Sequence, residues 1–307
     1  MSNDYQERIN KVIKYIEENY AEKINLDSLA EASNFSKYHF SRIFTAITGE
    51  TPMSFVTTIR LQKAVLELNE TTKSIAEIAN VCGFESISTF NASFKKYYQT
   101  TPSEWRKNTT KDSNILGEKG KMQEEIAKPL CYSIESKNSF LRRIWKMNIT
   151  LKQLPDLEVA YARHVGSYLE TYYAWERLGT WSNSKGLYPT EQFFIGISLD
   201  DPNVTEEHEC RYDACVTLPA NFVKESEDGI NFKRLSGGTY ALYQFYDTID
   251  KLAIAYQTIF GQWLPNSEYD ADDKPCLEFC MNNPAMDPEG KAKVDLYIPI
   301  KAKQEDM

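Results

Sequence analysis

The sequence predicts two domains of different fold class: an all-α domain in the first third of the chain and an α+β domain in the remainder. Three observations lead to this prediction. Apolar residues recur at helical spacing through residues 5–106, one segment of that region occurs twice, and short strand patterns alternate with two helical patterns from residue 147. With 307 residues, 42% of them hydrophobic, the chain can bury two cores.

The first third of the chain shows four helical patterns before its second repeat. Apolar spacing predicts an amphipathic helix over residues 5–20 and two short helices between residues 25 and 49. Ser36 is placed to cap the second short helix, and Gly49 is placed to end it. A longer helical pattern over residues 52–68 predicts a connecting rod of about 25 Å.

The repeated segment occupies residues 26–55 and 75–105. Its turn residues are Asn34 and Gly83, and each copy has an alanine four places earlier, where two helices must cross closely. The residues that recur at an offset of 50 are Phe40 and Phe90, Phe44 and Phe94, and Thr51-Pro52 and Thr101-Pro102. A helix, a tight turn and a second helix with short polar outward side chains form a helix-turn-helix that fits a DNA major groove.

The length of the connecting helix predicts how far apart the two recognition helices lie. A rod of that length can hold two recognition helices about 34 Å apart, one turn of the duplex. We therefore expect one chain to contact two adjacent major-groove segments of double-stranded DNA.

Three motifs of the second copy resemble one known family. I-A-x-x-x-G-F at residues 78–84, F-x-x-x-F-K-K at 90–96 and T-P-x-x-W-R at 101–106 are similar to the second helix-turn-helix of the AraC/XylS transcription regulators. The resemblance implies a DNA-binding domain over residues 1–108 that binds promoter DNA and RNA polymerase as an activator, acting as a monomer or weak dimer.

By that family's pattern, the residues that face bases are Lys37, Tyr38, Ser41 and Arg42 in the first recognition helix and Ile87, Ser88, Thr89 and Asn91 in the second. A guanidinium can fork onto a guanine edge, a carboxamide onto an adenine edge, and an apolar group can meet a thymine methyl. Lys95, Lys96 and Arg106 would neutralise phosphates, which orients the domain without reading sequence. The alternative is a plain helical bundle with two solvated lysines.

Two positions depart from the family's pattern. The glycine that usually precedes the second Thr-Pro is absent, and Gln99-Thr100 stands in its place. The second recognition helix is therefore expected to end in another geometry. Position 92, basic in some members, is alanine, so the first recognition helix is expected to supply more of the specificity.

Charge and cysteine usage restrict the class of protein. The net charge is −9, yet residues 1–110 carry 13 basic and 13 acidic side chains, so the acidic excess lies downstream. The six cysteines show no C-x-x-C spacing, and the sequence MSNDYQERIN lacks the regions of a secretory signal. No Ser-His-Asp or phosphate-loop signature occurs. We expect a reduced cytoplasmic protein with no membrane segment, catalytic triad, metal site or cofactor.

Residues 109–146 begin with a polar, glycine-containing stretch and predict a partly ordered linker. Residues 147–307 contain the strand patterns, with helical patterns over residues 168–181 and 249–263. Trp181 and Asp201-Pro202 recur as Trp263 and Asn283-Pro284 at an offset of 82. This recurrence predicts a duplicated β-α-β-β unit whose halves enclose a cleft for a ligand.

The order of motifs in this domain resembles the GyrI-like effector-binding domain. The motifs are G-S-Y at 166–168, W-x-x-L-x-x-W at 175–181, RYDACV at 211–216, GGTYA at 237–241 and P-x-L-E-F at 275–279. In that family the glutamate of the last motif lies at the floor of an aromatic pocket, and the matching residue here is Glu278.

An unpaired buried carboxylate costs several kcal/mol, which a cationic ligand would relieve. Aromatic walls would add about 0.5–2 kcal/mol per good cation–π contact. The candidate wall residues are Tyr168, Trp175, Tyr212, Trp263 and Tyr297. The plain alternatives are that each aromatic side chain is ordinary core and that Glu278 forms a salt bridge with Arg211 or another base.

These observations predict a one-component transcription regulator that senses a small, lipophilic, cationic effector. Two alternatives remain open at this point. The C-terminal domain could be a hydrolase in which Glu278 and Tyr297 activate water, or a passive surface for docking another protein.

Overall fold

A computed structural model describes residues 3–36, 39–111, 148–201, 205–225, 227 and 229–303. These residues form two compact units. The helical unit comprises Tyr5–Asn34 and the described part of Ile47–Leu141, and the sheet unit comprises Phe35–Ala46 with the described part of Arg142–Met307. Of the linker predicted over residues 109–146, residues 112–146 lie outside the described residues.

The helices of the first third confirm the all-α prediction. They are α1 (Asn3–Asn19), α2 (Leu26–Ser33), α3 (Phe40–Thr48), α4 (Pro52–Glu70), α5 (Ile75–Val81), α6 (Ile87–Tyr98) and α7 (Pro102–Lys111). The last helix extends three residues past the predicted boundary at residue 108. Thr51 caps α4 by accepting from the Ser54 amide, and Pro52 occupies the first turn, where its missing N–H costs nothing.

The turns of the two copies share one backbone conformation. Asn34 and Gly83 are both left-handed, with φ of 53° and 79°. Asparagine is among the few residues other than glycine that adopt this conformation readily. Left-handed residues also follow both recognition helices, Gly49 at φ 81° and Gln99 at φ 58°. The expected different end of the second recognition helix is therefore wrong, because Gln99 takes the conformation that glycine would take.

The helical unit is held by a core that the repeat predicted. Phe90 and Phe94 are fully buried against α4 and α5, and Ala79 is buried at the helix crossing. Trp105 packs edge-on against Phe94, with 5.9 Å between ring centroids, and its indole N–H donates to Asn69. The Thr-Pro-x-x-Trp motif thus anchors α7 to the second helix-turn-helix.

The sheet unit confirms the α+β class. Its strands are β1 (Ile149–Leu154), β2 (Leu157–Val165), β3 (Phe194–Ser198), β4 (Arg211–Thr217), β5 (Ile230–Leu235), β6 (Gly238–Asp247), β7 (Tyr269–Ala271), β8 (Leu277–Cys280) and β9 (Ala292–Ala302). The antiparallel order is β1-β6-β9-β8-β3-β4-β2-β5, with β7 paired to β9. Because β6-β9-β8 mirrors β2-β4-β3 about the β3–β8 pair, the order is compatible with the duplication, which stays a prediction.

Two helical segments complete the sheet unit. One is α8 (Tyr172–Ser184), and the other is α9 (Leu252–Thr258), which a π-helical turn (Ile259–Trp263) and α10 (Leu264–Asn266) continue. Small residues on the sheet, Ala160, Ala162 and Ala214, lie under α8 in one apolar cluster with Leu178 and Trp181. Their small volume lets a helix approach the strands closely.

Candidate functional site

The second recognition helix, α6, presents its predicted base-facing residues to solvent. Ser88, Thr89 and Asn91 are exposed, and Ile87 is 46% exposed although it is apolar. Ser86 caps the helix by accepting from the Thr89 amide, while the phenylalanines on the opposite side are buried. The same packing that buries the apolar side therefore holds a short polar surface outward, as a major-groove helix requires.

The phosphate-contact predictions divide into two groups. Lys95 and Lys96 are exposed at the end of α6. Arg106 is held inside the helical unit, where its guanidinium donates to the carbonyl oxygens of Leu68 and Lys73. These contacts give Arg106 a structural role, and its predicted contact with phosphate stays a prediction.

The first recognition helix, α3, differs from α6 in exposure. Lys37 and Tyr38 lie outside the described residues. Ser41 is only 3% exposed and Arg42 is half-buried. Both residues belong to the sheet unit. That this helix supplies more of the specificity stays a prediction.

Glu278 lies on β8 near the middle of the sheet. Its strand pairs with β3 on one side and β9 on the other, with Gly196 and Leu296 as its direct partners. Because side chains alternate along a strand, Glu278 projects to the face that carries Ala214 rather than to the face of Leu277 and Phe279. The residue is buried, with 8% of its surface exposed.

Hydroxyl groups surround the Glu278 carboxylate. The Tyr256 hydroxyl donates to Oε1 at 2.8 Å, and the Ser198 hydroxyl donates to the same oxygen at 3.4 Å. Gly196 makes room for the arrangement, because a Cβ there would collide with the Tyr212 hydroxyl and lie 3.1 Å from Oε2 of Glu278. The site is a buried carboxylate enclosed by hydroxyls and aromatic rings.

Burial controls the ionisation of this group. It raises the pKa of Glu278, and the hydrogen bond from Tyr256, the charge of Arg42 and the hydrogen bond from Ser198 offset the effect only in part. Burial likewise raises the pKa of Tyr212 and Tyr256 well above the usual range, and the nearby Glu278 carboxylate adds to both shifts. The tyrosines therefore remain hydrogen-bond donors at neutral pH.

The raised pKa of Glu278 predicts a pH-dependent stability. The unfolded chain loses this proton near the ordinary pKa of 4.5 and the native chain at higher pH, so native stability falls as pH rises through that interval. Glu278→Gln lacks this contribution. Its free energy of unfolding, relative to that of wild type, should therefore increase with pH by at most about 1.4 kcal/mol per pH unit. Urea unfolding of both proteins between pH 4.5 and 7 measures this difference in free energy. A difference that does not change with pH would contradict the raised pKa of Glu278.

Three of the five predicted wall residues meet near the carboxylate. Tyr168 and Trp175 contact the Tyr212 ring edge-on, with centroids 6.0 and 6.2 Å apart. Tyr297 is opposite Leu277 in register and packs on Phe279, so it lies on the other face of the sheet. Among the ring contacts of the described residues, none joins Trp263 to this group.

The position of Tyr297 also bears on the hydrolase alternative. A tyrosine on the far face of the sheet cannot share a water molecule with the carboxylate of Glu278. The plain alternative for Glu278 is a salt bridge with Arg211 or another base. Arg211 is not that base, because it makes a two-pronged ion pair with Asp200, at 2.7 and 2.8 Å.

Sequence reasoning missed Tyr256 and Ser198 as partners of Glu278. Tyr256 lies four residues before Phe260 in the second helical pattern, and the two rings stack with an interplanar angle of 8°. Spacing alone places both on the buried side of the helix, but many core aromatics have that spacing. The hydrogen bond from Tyr256 to Glu278 depends on which strand α9 covers, and spacing along the helix does not specify that.

Arg42 completes the surroundings of the carboxylate. Its guanidinium lies over the Tyr256 ring, 4.5 Å from the centroid, and donates to the Cys276 sulfur at 3.6 Å. No cluster of three metal-ligating side chains occurs within the described ranges. None of the helices in the described ranges combines the length and the apolar character that a bilayer span needs.

Comparisons with known proteins match two separate regions of the chain. The family model of a GyrI-like small molecule binding domain matches residues 147–301, and that of a helix-turn-helix domain matches residues 29–108. The DNA gyrase inhibitor of Escherichia coli strain K12 is 30% identical over 159 residues, covering 51% of this chain and 99% of that protein.

Two further relatives match the first third of the chain. The transposon Tn10 TetD protein of Escherichia coli is 38% identical over 100 residues, covering 33% of this chain and 72% of that protein. The probable transcription factor PqrA of Proteus vulgaris is 38% identical over 104 residues, covering 33% of this chain and 85% of that protein.

Proposed function

Because the chain belongs to the AraC-type helix-turn-helix transcription regulators and carries a GyrI-like small-molecule-binding domain, we propose that it activates transcription in response to a lipophilic organic cation. Promoter DNA and the effector are its two direct ligands, and RNA polymerase is the partner through which activation would occur. A monomer suffices for this function, since the two helix-turn-helix copies lie in one chain.

The observation that supports a cationic effector most strongly is the buried carboxylate of Glu278. A charge in such a position is costly unless an opposite charge compensates it. The hydroxyls of Tyr212 and Tyr256 lie beside it, and aromatic side chains around a carboxylate suit an organic cation better than a hydrated metal ion.

The DNA-binding half of the proposal rests on α6. Asn91 is exposed, and its carboxamide can contact an adenine edge with two hydrogen bonds. Exposed Ile87 has the apolar surface to contact a thymine methyl group. Lys95 and Lys96 follow on the same helix, where cations also favour the negative end of the helix dipole. These roles remain proposals for each residue.

Substitutions on α6 should separate base reading from phosphate contact. Asn91→Ala is expected to cost about 1–3 kcal/mol on the preferred site and to relax specificity at one base pair. Lys95→Ala should weaken binding to all sequences and reduce the slope of log K against log salt by about 0.9. A site selected from a random duplex library, followed by fluorescence anisotropy at several salt concentrations, measures both effects.

A matched control is Lys293→Ala, which removes an exposed lysine from the sheet unit. If Asn91→Ala and Lys95→Ala bind the selected site as this control does, α6 is not the reading helix.

A further inference from the structure

The two copies of the repeat provide an internal comparison of exposure. At the shared offset of 50, Ser41 corresponds to Asn91 and Arg42 to Ala92. The residues of the second copy are exposed, whereas Ser41 is buried and Arg42 half-buried. Equivalent positions of one repeated unit would have equal exposure if each copy were only a helix-turn-helix, so something covers the first recognition helix.

The cover is formed by residues of the sheet unit, to which residues 35–46 belong. His39, fully buried, has its Nε2 2.9 Å from the Lys274 carbonyl oxygen and its ring stacked on Phe260 at 5.1 Å. The Ser36 hydroxyl donates to Asp273 at 2.9 Å. These contacts hold the segment that leads into α3, directly before the predicted base-facing residues Ser41 and Arg42.

Within this contact, Arg42 occupies the position of a ligand. Its guanidinium lies 4.5 Å from the centroid of the Tyr256 ring, and the Tyr256 hydroxyl donates to Glu278. The charge of Arg42 also stabilises the Glu278 carboxylate. A planar organic cation, an aromatic face and a buried carboxylate are the three components that the proposed effector site requires.

We propose that Arg42 is an internal ligand of the effector site, so that an external cation and the first recognition helix compete for it. The inference rests on the proposed function of Glu278 and adds its regulation. When a cation takes the place of Arg42, α3 leaves the sheet unit and Ser41 and Arg42 become available to bases. The effector and promoter DNA then both favour the released state, so each increases the affinity for the other.

Competition by Arg42 raises the apparent Kd of the external cation by a predictable factor. An external cation binds only chains from which Arg42 has withdrawn, so its apparent Kd equals the intrinsic Kd divided by the released fraction. If about one chain in ten or fewer is released at rest, removal of the competitor tightens cation binding about tenfold or more.

Gly261 offers a way to release α3 without changing the carboxylate site. A Cβ on Gly261 would lie 2.8 Å from the Cβ of Ala46 in α3, so Gly261→Leu acts as a wedge between them. Gly179 in α8 has no neighbour within 4 Å of such a Cβ, and Gly179→Leu is therefore the matched control. Arg42→Met removes the internal cation and keeps an unbranched side chain of similar length.

The test titrates the full chain and these variants with benzamidinium, a planar cation, and with neutral benzamide by calorimetry. We expect Gly261→Leu and Arg42→Met to bind benzamidinium about tenfold or more tightly than wild type, with Gly179→Leu unchanged and benzamide weak throughout. Gly261→Leu should also bind a selected DNA site about tenfold more tightly without any cation, whereas wild type should reach that affinity only with benzamidinium.

Equal benzamidinium affinity in wild type, Gly261→Leu and Arg42→Met would overturn the inference and leave the cation site intact. Binding of benzamidinium to none of them, the released variants included, would instead contradict the proposed effector class. Thermal unfolding identifies any variant that fails to fold. If either Gly261→Leu or Arg42→Met fails to fold, the other is compared with wild type.

Discussion

Glu278→Gln is expected to abolish the binding of organic cations to the full chain. The substitution keeps the shape of the side chain and its ability to accept a hydrogen bond from Tyr256, but it removes the charge that the cation would neutralise. Loss of one member of a buried, hydrogen-bonded charge pair costs about 2–5 kcal/mol, a decrease of roughly thirty-fold or more in affinity. The thermal shift produced by tetraphenylphosphonium or benzamidinium measures the effect.

The free variant provides an internal control. Because Glu278 is buried and its pKa is raised, Glu278→Gln should be at least as stable as wild type at neutral pH without a ligand. A lost thermal shift therefore reports lost binding rather than a damaged fold. Wild type that no cation stabilises, or a variant that cations stabilise equally, would rule out the carboxylate as the recognition group.

Gly83→Ala is expected to have the largest effect on the helical unit. The residue has φ of 79°, which costs an L-amino acid about 1–2 kcal/mol. In addition, a Cβ would lie 2.7 Å from the Tyr20 carbonyl oxygen and 2.9 Å from that of Ala21. Since both neighbours are backbone atoms of the α1 connection, they cannot move as a side-chain end could. We expect a total loss of about 3 kcal/mol and weakened DNA binding.

Gly186→Ala is the control for this substitution. Its φ of 71° gives the same conformational strain, but no atom lies within 4 Å of the added Cβ. It should cost only about 1 kcal/mol. Urea unfolding followed by circular dichroism compares the two, and an effect of Gly83→Ala no larger than that of Gly186→Ala would show that the turn does not pack closely on the α1 connection.

Much of the helical unit could be predicted from the sequence because its determinants are local. Helix caps, apolar spacing and the Thr-Pro pairs act within a few residues of each other, so their positions along the chain fix α1 to α7 to within a few residues. Gln99 shows where local reasoning fails. A glycine is the usual residue for a left-handed helix end, yet the surrounding packing holds glutamine in the same conformation.

The sequence by itself determined the two fold classes and the helix-turn-helix region, and it singled out Glu278 as a candidate, since each depends on spacing along one segment. Only the tertiary structure decided what surrounds that carboxylate. Strand register places Gly196 beside Glu278 and Tyr297 on the other face, and helix packing brings Tyr256 to its oxygen. Arg42 reaches the same group from 236 residues away in the chain. Contacts between distant segments depend on how strands and helices pair and pack, which no local pattern in the sequence specifies.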